Sequence, residues 1–167
     1  KDILNKDTLL SLYYTFIYPY LTYCNLIWGK SANCFLSRLL LLQKRIVRII
    51  HHSHFLAHTE PMFIECKLLT ITQIHMYSTG IFMFKYHNGL LPSIFNNIFV
   101  RQRDVHMYNT RNNNLLTIPF CRTLRKQKTI IYQGPHTWNN IISHIDIVNI
   151  HTIFTFKKLF KNHLLAV

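Results

Sequence analysis

Chemistry on phosphates needs carboxylates close enough to share metal ions. The acids of this chain are few and scattered: Asp2, Asp7, Glu60, Glu65, Asp104 and Asp146. No two of them form D-D or D-x-D, and Glu60 and Glu65 are out of helical phase for a shared ion. The stretch HHSHFLAH (His51, His52, His54, His58) places His54 and His58 at i and i+4, a zinc-binding spacing on a helix. It lacks the Glu of H-E-x-x-H and has no cysteine pair nearby, so a polar loop whose imidazoles meet solvent or phosphate is the favoured reading. There is no G-x-S-x-G elbow, and the four isolated Gly form no glycine-rich phosphate loop. The sequence therefore assigns no catalytic residue and no metal ligand.

What remains is basic residues interleaved with aromatics. Arg38, Lys44, Arg45 and Arg48 share one segment; Arg101, Arg103, Tyr108 and Arg111 lie in a polar stretch; Arg122, Arg125, Lys126 and Lys128 come next. Arg and Lys serve phosphates, and Tyr or His can stack on a base. Any one cluster is compatible with a plain solvated face. Three of them, in a chain with 19 Lys plus Arg against 6 Asp plus Glu and a formal charge of +13, point to an anionic partner. Nucleic acid is the first candidate and an anionic membrane surface the second.

The elements that must carry these groups are mostly helical. At 49% hydrophobic and 14% aromatic, the chain has enough apolar material for a core. A helix is expected from about Asn5 to Tyr18, with Asp7 suiting its dipole, and a second short one through Leu26. Between Thr8 and Gly29 there is no charge, but five Tyr, Pro19 and Asn25 make the segment a poor membrane span. A buried helix pair broken at Pro19 explains it better.

NCFLSRLLLLQKRIVRII, residues 33–50, reads as an amphipathic helix. Its expected apolar stripe is Phe35, Leu39, Leu42, Ile46 and Ile49, its outer face is basic, and Asn33 is its N-cap. Pro61 opens a short helix. A longer one runs from roughly Thr72 to His87, ended by Gly89 and tolerating Gly80 if another backbone packs closely there. Ser93 to Val100 adds a helical turn or two. LLTIPF and KTIIYQG look like short strands separated by the basic CRTLRKQ, and Pro135 opens a short helix. The last helix carries an apolar stripe of Ile153, Phe156, Leu159 and Phe160, with Lys157, Lys158 and Lys161 outside. The four scattered cysteines (Cys24, Cys34, Cys66, Cys121) read as reduced, mostly core residues of an intracellular protein. The fold class is mainly α, with a small β or irregular element around residues 105–133.

An ordered series of blocks resembles non-LTR retrotransposon reverse transcriptases of the jockey-like kind. LYYTFIYPYLTYCNLIWG at 12–29 is similar to the segment after that family's palm, and LLLLQKRIVRII at 39–50 to its LQK-aliphatic-RI helix. H-T-x-P-x-F at 58–63, FMFKYHNGLLP at 82–92, YNTR at 108–111, RT at 122–123, GPHTWN at 134–139 and FKKLFKNHL at 156–164 complete the order. Each block is weak alone; the series covers about Leu12 to Leu165.

The resemblance implies an RNA-directed DNA polymerase as parent, of which this chain would be the helical thumb and the region beyond it. Residues 1–100 would form the thumb-like region and residues 101–167 a basic C-terminal region, as two domains or one continuous one. The thumb would grip an RNA–DNA template–primer duplex, and Lys44, Arg45 and Arg48 suit that role. The family's catalytic carboxylates and their Mg2+ would lie upstream of Lys1, with the palm and fingers as the missing partner. No cofactor is expected in this chain. The chain starts on Lys1 rather than Met and is expected to be a piece of something longer. The first functional expectation is a nucleic-acid-binding segment in the nucleus or cytoplasm, with no membrane partner. The alternatives are an inert remnant binding nucleic acid nonspecifically and a membrane-associated basic protein anchored by residues 8–29.

Overall fold

Apolar residues recur in this chain at three- and four-residue steps, and the computed structural model is accordingly mainly helical, with no strand among the described residues. It describes residues 4–105, 115–145, 150 and 152–166. Tyr108 and Arg111, and the acids Asp2 and Asp146, lie outside the described residues. The chain forms two units: residues up to His75 together with those from Lys161 on, and Met76–Phe160.

In the first unit, α1 (Lys6–Leu12) starts at Asn5, whose side-chain oxygen accepts the Thr8 N–H at 2.8 Å. A π turn (Tyr13–Ile17) is next, and α2 (Tyr18–Thr22) opens with Pro19 in its first turn. Pro19 has no N–H to continue an α-ladder. The Tyr18 N–H instead reaches back five residues to the Tyr13 carbonyl, so the break expected at Pro19 takes the form of a π turn before it. Then come α3 (Asn25–Trp28), α4 (Asn33–Ile50), α5 (Glu60–Glu65) and the start of α6 (Ile71–His87). The core joins Tyr13, Val47, Ile50, Phe63, Cys66 and Leu68, with Leu9, Leu10, Ile17, Leu21, Ile46 and Met62 packed against it. Phe16, Tyr20, Tyr23 and Ile27 of the N-terminal helices remain exposed.

The rotation of α4 corrects the sequence reading. Its buried row is Leu36, Gln43, Val47 and Ile50, one residue later than expected. Phe35, Leu42 and Ile49 of the expected stripe are exposed, as is Leu41. One residue is about 100° of helix rotation. Both rows have helical spacing in so Leu-rich a sequence, and the true row contains a glutamine that a hydrophobic pattern rejects. Gln43 is only 2% exposed. Its amide donates to the Tyr13 hydroxyl at 2.9 Å and the Leu69 carbonyl at 2.8 Å, and its oxygen accepts the Ile71 N–H at 3.0 Å. Asn33 does not cap α4: the N-cap is Ala32, which makes no side-chain bond.

Next to this tie, α6 begins with a capping box. The Gln73 side chain accepts the Thr70 N–H at 2.9 Å while the Thr70 hydroxyl accepts the Gln73 N–H at 3.4 Å. Gln73 also donates to the Leu164 carbonyl at 2.6 Å. His75 is 3% exposed. Its Nδ1 lies 3.2 Å from both the carbonyl and the side-chain oxygen of Asn25, two acceptors, so Nδ1 carries the proton. Its Nε2 has no partner among the described residues.

In the second unit, α6 ends where expected. Gly89 has φ +65°, and the N–H groups of Gly89 and Leu90 bond the carbonyls of Tyr86 and Lys85, a Schellman closure. A 3-10 turn (Ser93–Phe95) replaces the longer helical stretch expected to Val100. Short helices α7 (Gln102–Val105) and α8 (Leu124–Gln127) precede α9 (Ile130–His144) and α10 (Ile153–Ala166). Neither expected strand forms. KTIIYQG instead enters α9, with Pro135 inside that helix rather than at its start. LLTIPF makes one antiparallel bridge, Arg101 with Leu116. The Asn139 side chain supplies the rest, accepting the Leu116 N–H and donating to its carbonyl, both at 2.9 Å. An edge satisfied this way needs no sheet.

Stacked rings fill this unit: Phe84 on Phe156 at 4.4 Å, and Phe156 on Phe160 at 5.5 Å. What lies over Gly80 is the Phe160 ring, not another backbone; a Cβ there would sit 2.3 Å from Phe160 Cε1. On α10 the buried row is Phe156, Phe160 and Leu164, while Leu159 is exposed. In the first unit, Lys161 is half-buried, 5.9 Å from the centre of the Tyr14 ring, rather than on the outside. Two of the four cysteines, Cys24 and Cys34, are exposed rather than in the core.

This packing makes three outcomes measurable. Gln43→Leu keeps the volume but orphans the Leu69 carbonyl and the Ile71 N–H, and urea unfolding should show a loss of about 2–4 kcal/mol; a loss under about 1 kcal/mol would contradict the role given to the amide. Gly80→Ala would add about 1 kcal/mol of helix propensity in open space, yet should lower Tm because Phe160 must move, at a net cost of about 1–2 kcal/mol. Burial holds the His75 imidazole below its ordinary value despite the opposing Asn25 bond, with Lys30 lowering it further. The unfolded chain therefore binds a proton at His75 near pH about 6.5 before the folded chain does, and stability should fall as pH drops through that value. His75→Gln should show a shallower loss between neutral and acid pH than the wild type; equal slopes would refute this.

Candidate nucleic-acid interface

α4 carries the first basic cluster, and the burial of Gln43 decides which way it faces. With Leu36, Gln43, Val47 and Ile50 inside, Arg38 and Arg45 stand opposite the core, seven residues and about 10.5 Å apart along the axis. Both are exposed, and Lys44 and Arg48 flank them half-buried. No carboxylate among the described residues pairs with any of the four; the ion pairs found are Lys6 and His51 with Glu65, and Arg103 with Asp104. The outer face is not purely basic, as expected, but mixed. Phe35 at 61% and Leu41 at 58% exposure stand beside the cations, with Leu42 and Ile49.

The loop after α4 continues this surface. His51, His52 and Ser53 donate their N–H groups to the carbonyls of Val47, Ile49 and Arg48, closing the helix end. Arg48 Nε donates to the Ala57 carbonyl at 2.9 Å, which fastens the guanidinium to the loop. Arg45, Arg48, Ile49, Ser53 and Phe55 line an open cleft of about 300 Å³. His54 and His58 lie in this loop and not on a helix, so the i, i+4 spacing does not place them on one face. His51 Nε2 contacts the Cys66 sulfur at 3.1 Å. Among the described residues no group of three His, Cys, Asp or Glu could hold a metal ion.

The described residues of the other two basic clusters belong to the second unit. Arg101 is half-buried in its bridge, and burial together with Arg101 holds the His87 imidazole below its ordinary value. Arg103 lies 3.6 Å from Asp104, which partly cancels it. Arg122, Arg125, Lys126 and Lys128 are all exposed on and around α8, which Thr123 caps by accepting the Lys126 N–H at 3.4 Å. CRTLRKQ is thus partly helical rather than a linker between strands. Exposed Phe120 and Leu124 stand in the same segment.

Sequence reasoning missed Phe55, an apolar residue in a polar loop, and the exposed apolar side chains of α4. An aromatic that no periodic element claims was the available signal for the first. Among the described residues, no helix is long and apolar enough to cross a membrane. Compared with known proteins, the chain matches no family model, no curated protein sequence and no solved structure.

Proposed function

We propose that this chain is a nucleic-acid-binding segment of a non-LTR retrotransposon reverse transcriptase, comprising the thumb and the region C-terminal to it. Its task is positioning: Arg and Lys hold the phosphates of an RNA–DNA template–primer, and the helical cores keep that surface rigid. The observation that carries the reading is the outer face of α4 and its flanks, where Arg38, Lys44, Arg45 and Arg48 meet no carboxylate among the described residues, in a chain of formal charge +13. Four cations left unneutralised on one helix repel each other unless an anion covers them. The ordered resemblance from Leu12 to Leu165 names the kind of anion. The chemistry of nucleotide transfer would belong to the upstream palm, and no residue here is assigned to it.

Anisotropy titration of the purified chain against a recessed RNA–DNA primer–template and a blunt duplex, over a salt series, tests this. Tighter binding to the recessed substrate is expected, with affinity falling steeply as salt rises. Replacing Arg38, Lys44 and Arg45 together by Gln should lower the slope of log K against log salt by about one for each phosphate that is no longer neutralised. Binding that does not change between low and moderate salt would refute the electrostatic account. Equal binding to both substrates would reduce the chain to a nonspecific binder.

A further inference from the structure

The cleft at the C-terminal end of α4 is a site that duplex gripping alone does not explain. Its size, about 300 Å³, falls at the small end of ligand pockets, roughly 300–1,000 Å³. Arg45 and Arg48 line it together with Phe55, which is 65% exposed on a loop. We infer that this cleft takes a single unpaired nucleotide, with its phosphate on Arg45 and Arg48 and its base against the Phe55 ring. This rests on the proposed nucleic-acid binding and adds the kind of strand held there.

Four observations support that ligand. First, Arg48 spends its Nε–H on the Ala57 carbonyl, and its terminal N–H groups meet no described protein acceptor. A guanidinium fixed at one edge with its fork free is prepared for a phosphate oxygen pair. Second, the carbonyls of Val47, Arg48 and Ile49 at the end of α4 already accept N–H groups from the loop. The negative end of the helix is therefore partly masked where an anion must approach. Third, an aromatic ring left in solvent beside two Arg matches the stacking platform of single-strand binders, which is indifferent to base identity because every base has a π-face. A duplex hides those faces, so the cleft favours an unpaired residue. Fourth, Arg38 lies on the same face of α4 as Arg45, so a strand seated in the cleft has a further cation along its path.

A second copy of the chain is disfavoured by like charge, since each copy carries +13. An acidic apolar peptide would satisfy the two Arg and Phe55 as well, and the dependence of each ligand on Phe55 separates the two.

The experiment compares the full chain with its Phe55→Ala and Phe55→Trp variants. The probes are a blunt RNA–DNA duplex and the same duplex with a short unpaired tail. Phe55 lies outside the core, and circular dichroism checks that each variant folds. Phe55→Ala should weaken binding to the tailed probe by about tenfold and leave the blunt duplex unchanged. Phe55→Trp should restore the tailed affinity, and its added fluorescence should be quenched by the tail but not by the blunt duplex. An unchanged tailed affinity in Phe55→Ala, with blunt binding intact, would overturn the nucleotide site and leave the duplex reading standing. An acidic, aromatic peptide that loses affinity in Phe55→Ala at constant salt, while the tailed probe does not, would also overturn it, in favour of a protein partner. A wild type that binds neither probe would remove both readings at once.

Discussion

Burying a polar side chain in the core face of a helix is costly unless every hydrogen-bonding group on it is met. In α4 that condition is satisfied at Gln43. Its amide bonds the Tyr13 hydroxyl, the Leu69 carbonyl and the Ile71 N–H at 2.8–3.0 Å, three groups from two separate stretches of the chain. Without it, the backbone between α5 and α6 would bring unpaired groups into an apolar core made by Val47, Ile50, Phe63 and Leu68. The same contact fixes the rotation of α4, because a turn of one residue would take the amide out of reach of all three partners. Much of the first unit depends on that rotation, including which side of α4 meets solvent.

The rotation is also the link between the core and the proposed function. With Gln43 inside, Arg38 and Arg45 point away from the core, and Arg48 flanks them where its Nε can reach the Ala57 carbonyl. Had the expected row of Phe35, Leu39, Leu42, Ile46 and Ile49 been buried instead, the exposed apolar residues of α4 would largely vanish and the cleft beside Phe55 would lose its Ile49 wall. The surface that results is neither a plain charged face nor a plain apolar one. Cations attract a phosphate backbone at range, and apolar or aromatic groups beside them reward close approach by something with a flat face.

The second unit reaches order by different means. Stacked Phe84, Phe156 and Phe160 occupy its centre, and Gly80 is needed because a ring, not solvent, lies above it. Residues 115–120 have the composition of a strand but find only a short bridge and one side chain, Asn139, whose amide matches the backbone donor and acceptor of Leu116. The exposed cations around α8 are held on a short capped helix, so that this unit presents basic charge on a folded element as well.

Charge, the lack of paired carboxylates and the order of the main helices were legible in the sequence, because each depends on composition or on neighbours within a turn or two. Pro61, the α6 segment and the Gly89 closure are of this kind, and the Thr70–Gln73 capping box carries a local signal too. The rotation of α4, the helical state of residues 130–134 and the exposure of Leu159 were not legible. In a chain so rich in Leu, Ile and Phe, more than one row on a helix has the right spacing, and the choice falls to contacts between residues far apart in sequence. Gln43 with Tyr13, His75 with Asn25, and Leu116 with Asn139 are such contacts. Each makes favourable a polar burial or a backbone shape that local preference alone would reject, and only the tertiary structure brings the two partners together.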